Sequence, residues 1–129
     1  MNPREDLTLG VGALIKLERG DRLAWSLLSV GARRQRRRVT VPAAALAQVW
    51  RGKGHPNLIR ALRAFELESM SPELARAAGT LCGLAHTADV VDAAVMASAA
   101  TRGDTVLTTD HDDLARLAEV VPTVRVIGI

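Results

Sequence analysis

The chain has one cysteine, Cys82, among its 129 residues. An internal disulfide and a cysteine-built zinc site are therefore excluded, which suits a reducing compartment, and Cys82 itself is expected to be a small buried apolar residue. With two tryptophans, one phenylalanine and no tyrosine, the aromatics that stack single-stranded bases are missing. No apolar run approaches the ~20 residues of a spanning helix. The first residues, Met1-Asn2-Pro3-Arg4-Glu5-Asp6, are too charged for a signal peptide. A cytoplasmic protein with no membrane contact is expected. Acid is absent from one long stretch: between Arg22 and Arg63 there are ten Lys or Arg residues and no Asp or Glu.

What is present balances these gaps. Hydrophobic residues make up 48% and charged residues 24%, a globular composition, and the length suits one domain spanning residues 1–129. The net charge is only +3, yet six of the eight aspartates fall between Asp89 and Asp113. A basic half beside an acidic cluster suits a polyanion held by arginines and cut at a metal, and equally a basic face that is merely solvated.

The periodicity alternates strand with helix. Leu7-Thr8-Leu9 reads as a strand and Ala13 to Arg19 as a helix. Asp21 caps a helix with Leu23, Leu27 and Val30, together with Ala24 and Leu28, at helical spacing. Val39 to Val41 is a β-branched strand ended by Pro42. Helices follow at Ala43 to Trp50 and Asn57 to Phe65, and a weak strand at Leu67 to Met70. Ser71-Pro72 starts a helix ending near Gly83. Asp89 to Thr101 reads as the clearest amphipathic helix, stopped by Gly103. A strand at Thr105 to Thr108, an acidic turn, a helix from about Asp112 to Val120 and a strand Val124 to Ile127 complete the order. The fold class this implies is α/β: three layers, α/β/α, around a mostly parallel central sheet.

In such sheets, sites lie beyond the carboxyl ends of the strands. Asp89 and Asp92, three residues apart, point to nearly the same side of their helix start, and Asp110 follows the strand Thr105 to Thr108, with Asp112 and Asp113 after it. Converging aspartates without cysteine or paired histidines favour Mg²⁺ or Mn²⁺, which polarises a phosphate and activates water. The bland alternative for Asp89 and Asp113 is helix capping. Asp92, inside a helix rich in Ala and Val, has no capping duty, so its charge needs compensation. His55, His86 and His111 lack ligand spacing, although His111 sits in the acidic turn. Arg33-Arg34-Gln35-Arg36-Arg37-Arg38 could grip phosphates or be a solvated helix end.

The segments Asp89-Val90-Val91-Asp92-Ala93-Ala94-Val95-Met96-Ala97 and Val106-Leu107-Thr108-Thr109-Asp110-His111-Asp112-Asp113-Leu114 resemble the C-terminal half of a PIN-domain ribonuclease of the VapC toxin type. Gly12-Ala13-Leu14-Ile15, Val41-Pro42 and Ala47-Gln48-Val49-Trp50 resemble its earlier elements. The resemblance implies a metal-dependent endoribonuclease, the toxin of a type II toxin–antitoxin pair, forming a homodimer and silenced by an antitoxin protein. It further implies Asp92, Asp110 and Asp89 as metal ligands, Asp113 and Gln48 as further catalytic residues, Thr108 or Thr109 as a polar neighbour, and Trp50 near an antitoxin or dimer contact. Two positions depart from the family pattern: Gly10 stands where the first strand should end in aspartate, and Gln48 where a glutamate is expected. Asp6, ~13 Å back along the strand, is too far to replace the missing acid. With two acids fewer, the site should hold its cation more weakly.

Two other readings compete with the enzyme. One is a non-catalytic PIN-like module that binds RNA or protein. The other is a phosphoacceptor or nucleotide-binding α/β domain, which Gly10-Val11-Gly12 alone is too weak to support.

Overall fold

A computed structural model describes residues 5–35, 37–109 and 111–129, with side chains for all of these except 30–35. Five short strands form one sheet: β1 (Leu7–Leu9), β2 (Val39–Pro42), β3 (Glu66–Glu68), β4 (Thr105–Thr108) and β5 (Val126–Gly128). All neighbours run parallel in the order β3-β2-β1-β4-β5. Parallel neighbours require crossovers. These are supplied by α1 (Val11–Glu18), α2 (Arg22–Gln35), α3 (Ala43–Val49), α4 (Pro56–Ala64), α5 (Pro72–Ala85), α6 (Val90–Arg102) and α7 (Ala115–Val120), the last preceded by a 3₁₀ turn at Asp112–Leu114. The expected α/β architecture with a parallel central sheet is the one observed, and the mixed pairing that "mostly parallel" allowed does not occur among the described strands.

The chain starts in the middle of the sheet at β1, works outward through β2 to β3, then returns to build β4 and β5 on the other side. Crossovers diverge at the β1–β4 boundary, which opens a crevice at the carboxyl ends of those strands. Register fixes what faces it: Leu9 pairs with Leu107, so Gly10 and Thr108 end side by side.

The core explains why the elements form. Leu7, Leu9, Val41, Val106 and Leu107 are fully buried, against Leu14 and Leu17 of α1 and Val95 and Met96 of α6. In α6, every residue from Ala93 to Ala99 is buried. That corrects the expectation of an amphipathic helix: α6 is enclosed between α5 and the central strands, with α3 and α7 alongside. Small side chains are what permit such close approach.

The second correction concerns α2. Ala24 and Leu28 form its buried stripe, while Leu23 is 83% exposed and Leu27 39%. The stripe is narrower than leucine spacing suggests because Trp25 fastens the helix from the side: its indole N–H donates to the Leu17 carbonyl at 2.9 Å, and Arg60 lies 3.8 Å over its ring. Val30 lies outside the described side chains. Boundaries also shift. Helix α5 continues to Ala85 and closes on His86 at φ 54°, whose N–H donates to the Cys82 carbonyl, so Gly83 does not end it. Cys82 is only partly buried, packed at the core's margin. Strand β3 comes one residue earlier than expected and β5 two later.

A polar network lies beneath α6. Arg102 donates from Nε to Asp104 at 2.8 Å and from its terminal nitrogens to Thr8 Oγ1 at 2.8 Å and Ser98 Oγ at 2.7 Å. It also pairs with Glu68. Thr8 Oγ1 donates to Asp104 at 2.9 Å and Ser98 Oγ to Glu68 at 2.6 Å. Buried charge is tolerated only when paired and hydrogen-bonded in this way. Through it β1, β3 and the start of β4 are fastened to the C-terminal end of α6.

Candidate active site

At the β1–β4 crevice lies a cleft of about 270 Å³, lined among others by Gly10, Gly12, Gln48, Asp89, Asp92 and Asp113, with Thr108 and Thr109 at its floor and rim. The sheet delivers Gly10 from the end of β1 and Thr108 from the end of β4. Gln48 reaches in from α3, Asp89 and Asp92 from the start of α6, and Asp113 from the 3₁₀ turn. Residues up to 104 positions apart in sequence, Gly10 and Leu114, thus share one cavity wall.

Asp89 does cap α6, as the bland alternative held: its Oδ1 accepts the Asp92 N–H at 3.0 Å, and its own N–H donates to Thr87 Oγ1 at 3.2 Å. It lines the cleft as well. Asp92 carries the electrostatic load. Its carboxyl is pushed up to about 7, first by burial, then by a hydrogen bond with the Asp89 side chain, then by the negative charges of Asp89 and Asp113. Each of these disfavours a second or third anion in a small space. Its carboxyl therefore keeps its proton to a much higher pH than an ordinary aspartate does.

Asp110 lies outside the described residues. Among the described residues, no three His, Cys, Asp or Glu side chains stand together as a metal cage. His111 is exposed. Asp6 is occupied elsewhere, its Oδ1 accepting the Arg38 N–H at 2.9 Å. Of the arginine run, Arg37 is 6% exposed with its pKa lowered by burial, and Arg38 pairs with Glu66 at 3.5 Å. These two therefore do not belong to a freely solvated helix end; the remaining arginines of the run lie outside the described side chains.

Two glycines shape the cleft. The first turn of α1 passes so close to the loop after β4 that a Cβ at Gly12 would lie 2.0 Å from Thr109 Oγ1 and 2.9 Å from its backbone nitrogen. Only glycine fits there, a requirement that a bare Gly-Val-Gly does not reveal in the sequence. Gly10 is different. Its φ of −78° and ψ of 174° are ordinary extended backbone, and a Cβ there would meet the Leu107 carbonyl oxygen at 3.1 Å, with Thr108 Cβ at 3.6 Å. A larger residue at position 10 is tight but conformationally allowed.

No protein-family model matches the chain, and no curated protein matches its sequence. Solved structures do match in shape. A chain of VapBC2 from Rickettsia felis, bound to a DNA fragment from their promoter, aligns over 95% of this chain and 98% of that one, with a TM-score of 0.72 and 14% identity. A chain of FitAB bound to the IR36 DNA fragment aligns over 95% of this chain and 94% of that one, with a TM-score of 0.65 and 13% identity. Identity this low speaks to the fold, and coverage this complete leaves no large element of either molecule unmatched. With its central β1, its outward β2–β3 arm and the crevice beside β4, this chain has the PIN-domain fold.

Proposed function

We propose that the chain is a PIN-type endoribonuclease that depends on Mg²⁺ or Mn²⁺, the toxin of a toxin–antitoxin pair acting in the cytoplasm, weakened by the absence of a carboxylate at position 10. The observation that carries this reading is the convergence of Asp89, Asp92 and Asp113 in one cleft at the β1–β4 switch point. The fold shared with VapBC2 and FitAB chains supports it, and an antitoxin partner follows by the same analogy. A homodimer belongs to the proposal by resemblance alone.

The donors fit a hard cation in kind: they are all oxygens, and the Asp92 carboxyl is raised first by burial and then by the neighbouring Asp89 and Asp113, which a cation would offset. Asp92 and Asp89 would hold the ion, with Asp110 named for the same role by its sequence position two residues past β4. Bound there, a divalent ion supplies polarisation of the scissile phosphate and a more acidic water. The chain's own residues do the rest. Asp89 fixes the start of α6 through its cap and so aims Asp92 into the cleft. Gln48 offers a neutral carbonyl oxygen and an amide donor, able to orient water without adding charge. As a ligand Asp92 must be ionised, so a bound cation would lower its carboxyl from the raised metal-free value.

One pair of observations favours the second reading, a non-catalytic PIN-like module: Gly10 brings no side chain and Gln48 no charge to the cleft. A titration of Mn²⁺ and Mg²⁺ against cleavage of single-stranded RNA separates the two. Metal-dependent cutting that Asp92→Asn abolishes is expected for the enzyme. RNA binding with no cutting at any metal concentration would leave only the module.

A further inference from the structure

Glu18, at the end of α1, draws two distant segments together: its Oε1 takes a hydrogen bond from His55 Nδ1 at 2.6 Å, and its backbone carbonyl takes one from Asn57 Nδ2 at 3.1 Å. His55 is 6% exposed. Its Nε2 accepts the Arg51 N–H at 2.9 Å, which leaves Nδ1 to donate to Glu18. The Trp50 ring lies 4.8 Å from the imidazole. The loop between α3 and α4 is therefore closed at its base by a buried histidine. Gly52 and Gly54, at φ 100° and 81°, turn it outward with open space around both.

Arg51 and Lys53 are exposed on this loop, and Arg19 and Arg22 are exposed where α1 gives way to α2, the two segments being tied to each other through Glu18. No ion pair among the described residues engages any of the four. The two helices that lead here also wall the cleft. Ile15 lines the cleft one helical turn, about 4.5 Å of rise, before Glu18. Gln48 lines it three residues before Arg51, at most about 11 Å of chain. The helices that lead to these cations thus also carry residues of the acidic cleft wall.

We propose that the Arg51–Gly54 loop, together with Arg19 and Arg22, holds an RNA strand by its phosphates as the strand leaves the acidic cleft. The inference rests on the nuclease reading for the identity of the strand. Arginine and lysine on a glycine-turned loop recognise phosphate and not base sequence, which agrees with the scarcity of aromatics. An acidic peptide would also be attracted to cations, but the elements shared with the cleft favour the strand whose phosphate lies in it.

The test is anisotropy of a labelled 12-nucleotide single-stranded RNA, with EDTA present so that binding is read without cleavage. The double variant Arg51→Ser, Lys53→Ser is set against Arg76→Ser, Arg125→Ser, which removes equal charge from α5 and from the residue before β5. Loss of two phosphate contacts should weaken binding at least tenfold at low salt and lower the log–log salt slope by about 1.4, while the control stays within twofold of the unaltered protein. Equal loss in both variants, no loss in the loop variant, or a loop variant that loses only a polyglutamate peptide would each overturn the proposal. If loop-dependent RNA binding persists in a protein that never cuts, the nuclease reading alone fails.

Discussion

Replacing Gly10 with aspartate adds a carboxylate to the three, Asp89, Asp92 and Asp113, that the described cleft wall carries, and its consequences separate by sign. The extended backbone at position 10 accepts a side chain, but the new Cβ must move the Leu107 oxygen from 3.1 Å by a few tenths of an ångström, costing about 1 kcal/mol. A further anion facing Asp92, whose carboxyl already stands near 7, costs about 1–2 kcal/mol more at the effective dielectric of a half-open cleft. Metal-free, Gly10→Asp should therefore melt roughly 6–12 °C lower than the unaltered chain. Saturating Mn²⁺ should offset roughly half of this. If the added ligand raises metal affinity about tenfold, the metal-induced stabilisation grows by about 1.4 kcal/mol, or about 5 °C, beyond that of the parent. RNA cleavage should rise at least tenfold in the same samples. The measurement is a pair of melting curves with and without Mn²⁺, followed by the cleavage assay. Equal metal-induced shifts in the two proteins would refute the reasoning, because position 10 would then not face the ion.

Other perturbations give distinct signatures. Because the Asp92 pKa is raised from 3.8 to about 7, the folded state binds more protons than the unfolded one across that window. Its stabilising contribution is complete below pH 4 and lost as pH rises through 7, by about 1–2 kcal/mol once solvent screening is allowed for; denaturant titrations from pH 4 to 8 without metal should show it, and Asp92→Asn should flatten the curve. Gly12→Ala sets a methyl group 2.0 Å from Thr109 Oγ1 and should cost about 2–3 kcal/mol, read by urea unfolding, with Thr109 amide shifts reporting the displaced loop. Arg102→Met leaves Asp104, 3% exposed, without its cation and should cost about 3–5 kcal/mol; a loss below 1 kcal/mol in chemical denaturation would show the network to be solvent-relaxed.

Much of the frame could be read from residue order because local rules and tertiary packing agree in it. Ser71 and Pro72 start α5 as written, with the serine hydroxyl accepting the Leu74 N–H at 3.0 Å, and Gly103 ends α6 in the left-handed conformation. That Asp89, Asp92 and Asp113 share a cleft was legible for the same reason, since they stand at the starts of elements near the strand ends, whereas Gln48, near the end of α3, was named by resemblance alone. Burial was less legible. Leu23 has the spacing of a core residue yet points outward, since a tryptophan indole and an arginine decide how α2 lies. Ala93 to Ala99 are buried on every side, which no single periodicity encodes. Side-chain bonds such as Thr8 to Asp104, 96 residues apart, carry no local signature at all.

The attachment of Arg102 beneath the sheet has a mechanical meaning for the far end of α6. Ten residues separate it from Asp92, about 15 Å of rigid rod, so the guanidinium acts as the fulcrum of a lever whose tip carries the acids. A tilt of only about 4° at that pivot would carry the tip about 1 Å sideways, a misplacement that can cost on the order of a hundredfold in rate where geometry governs chemistry. The aim of the acids thus depends in part on a side chain anchored at the opposite end of their helix.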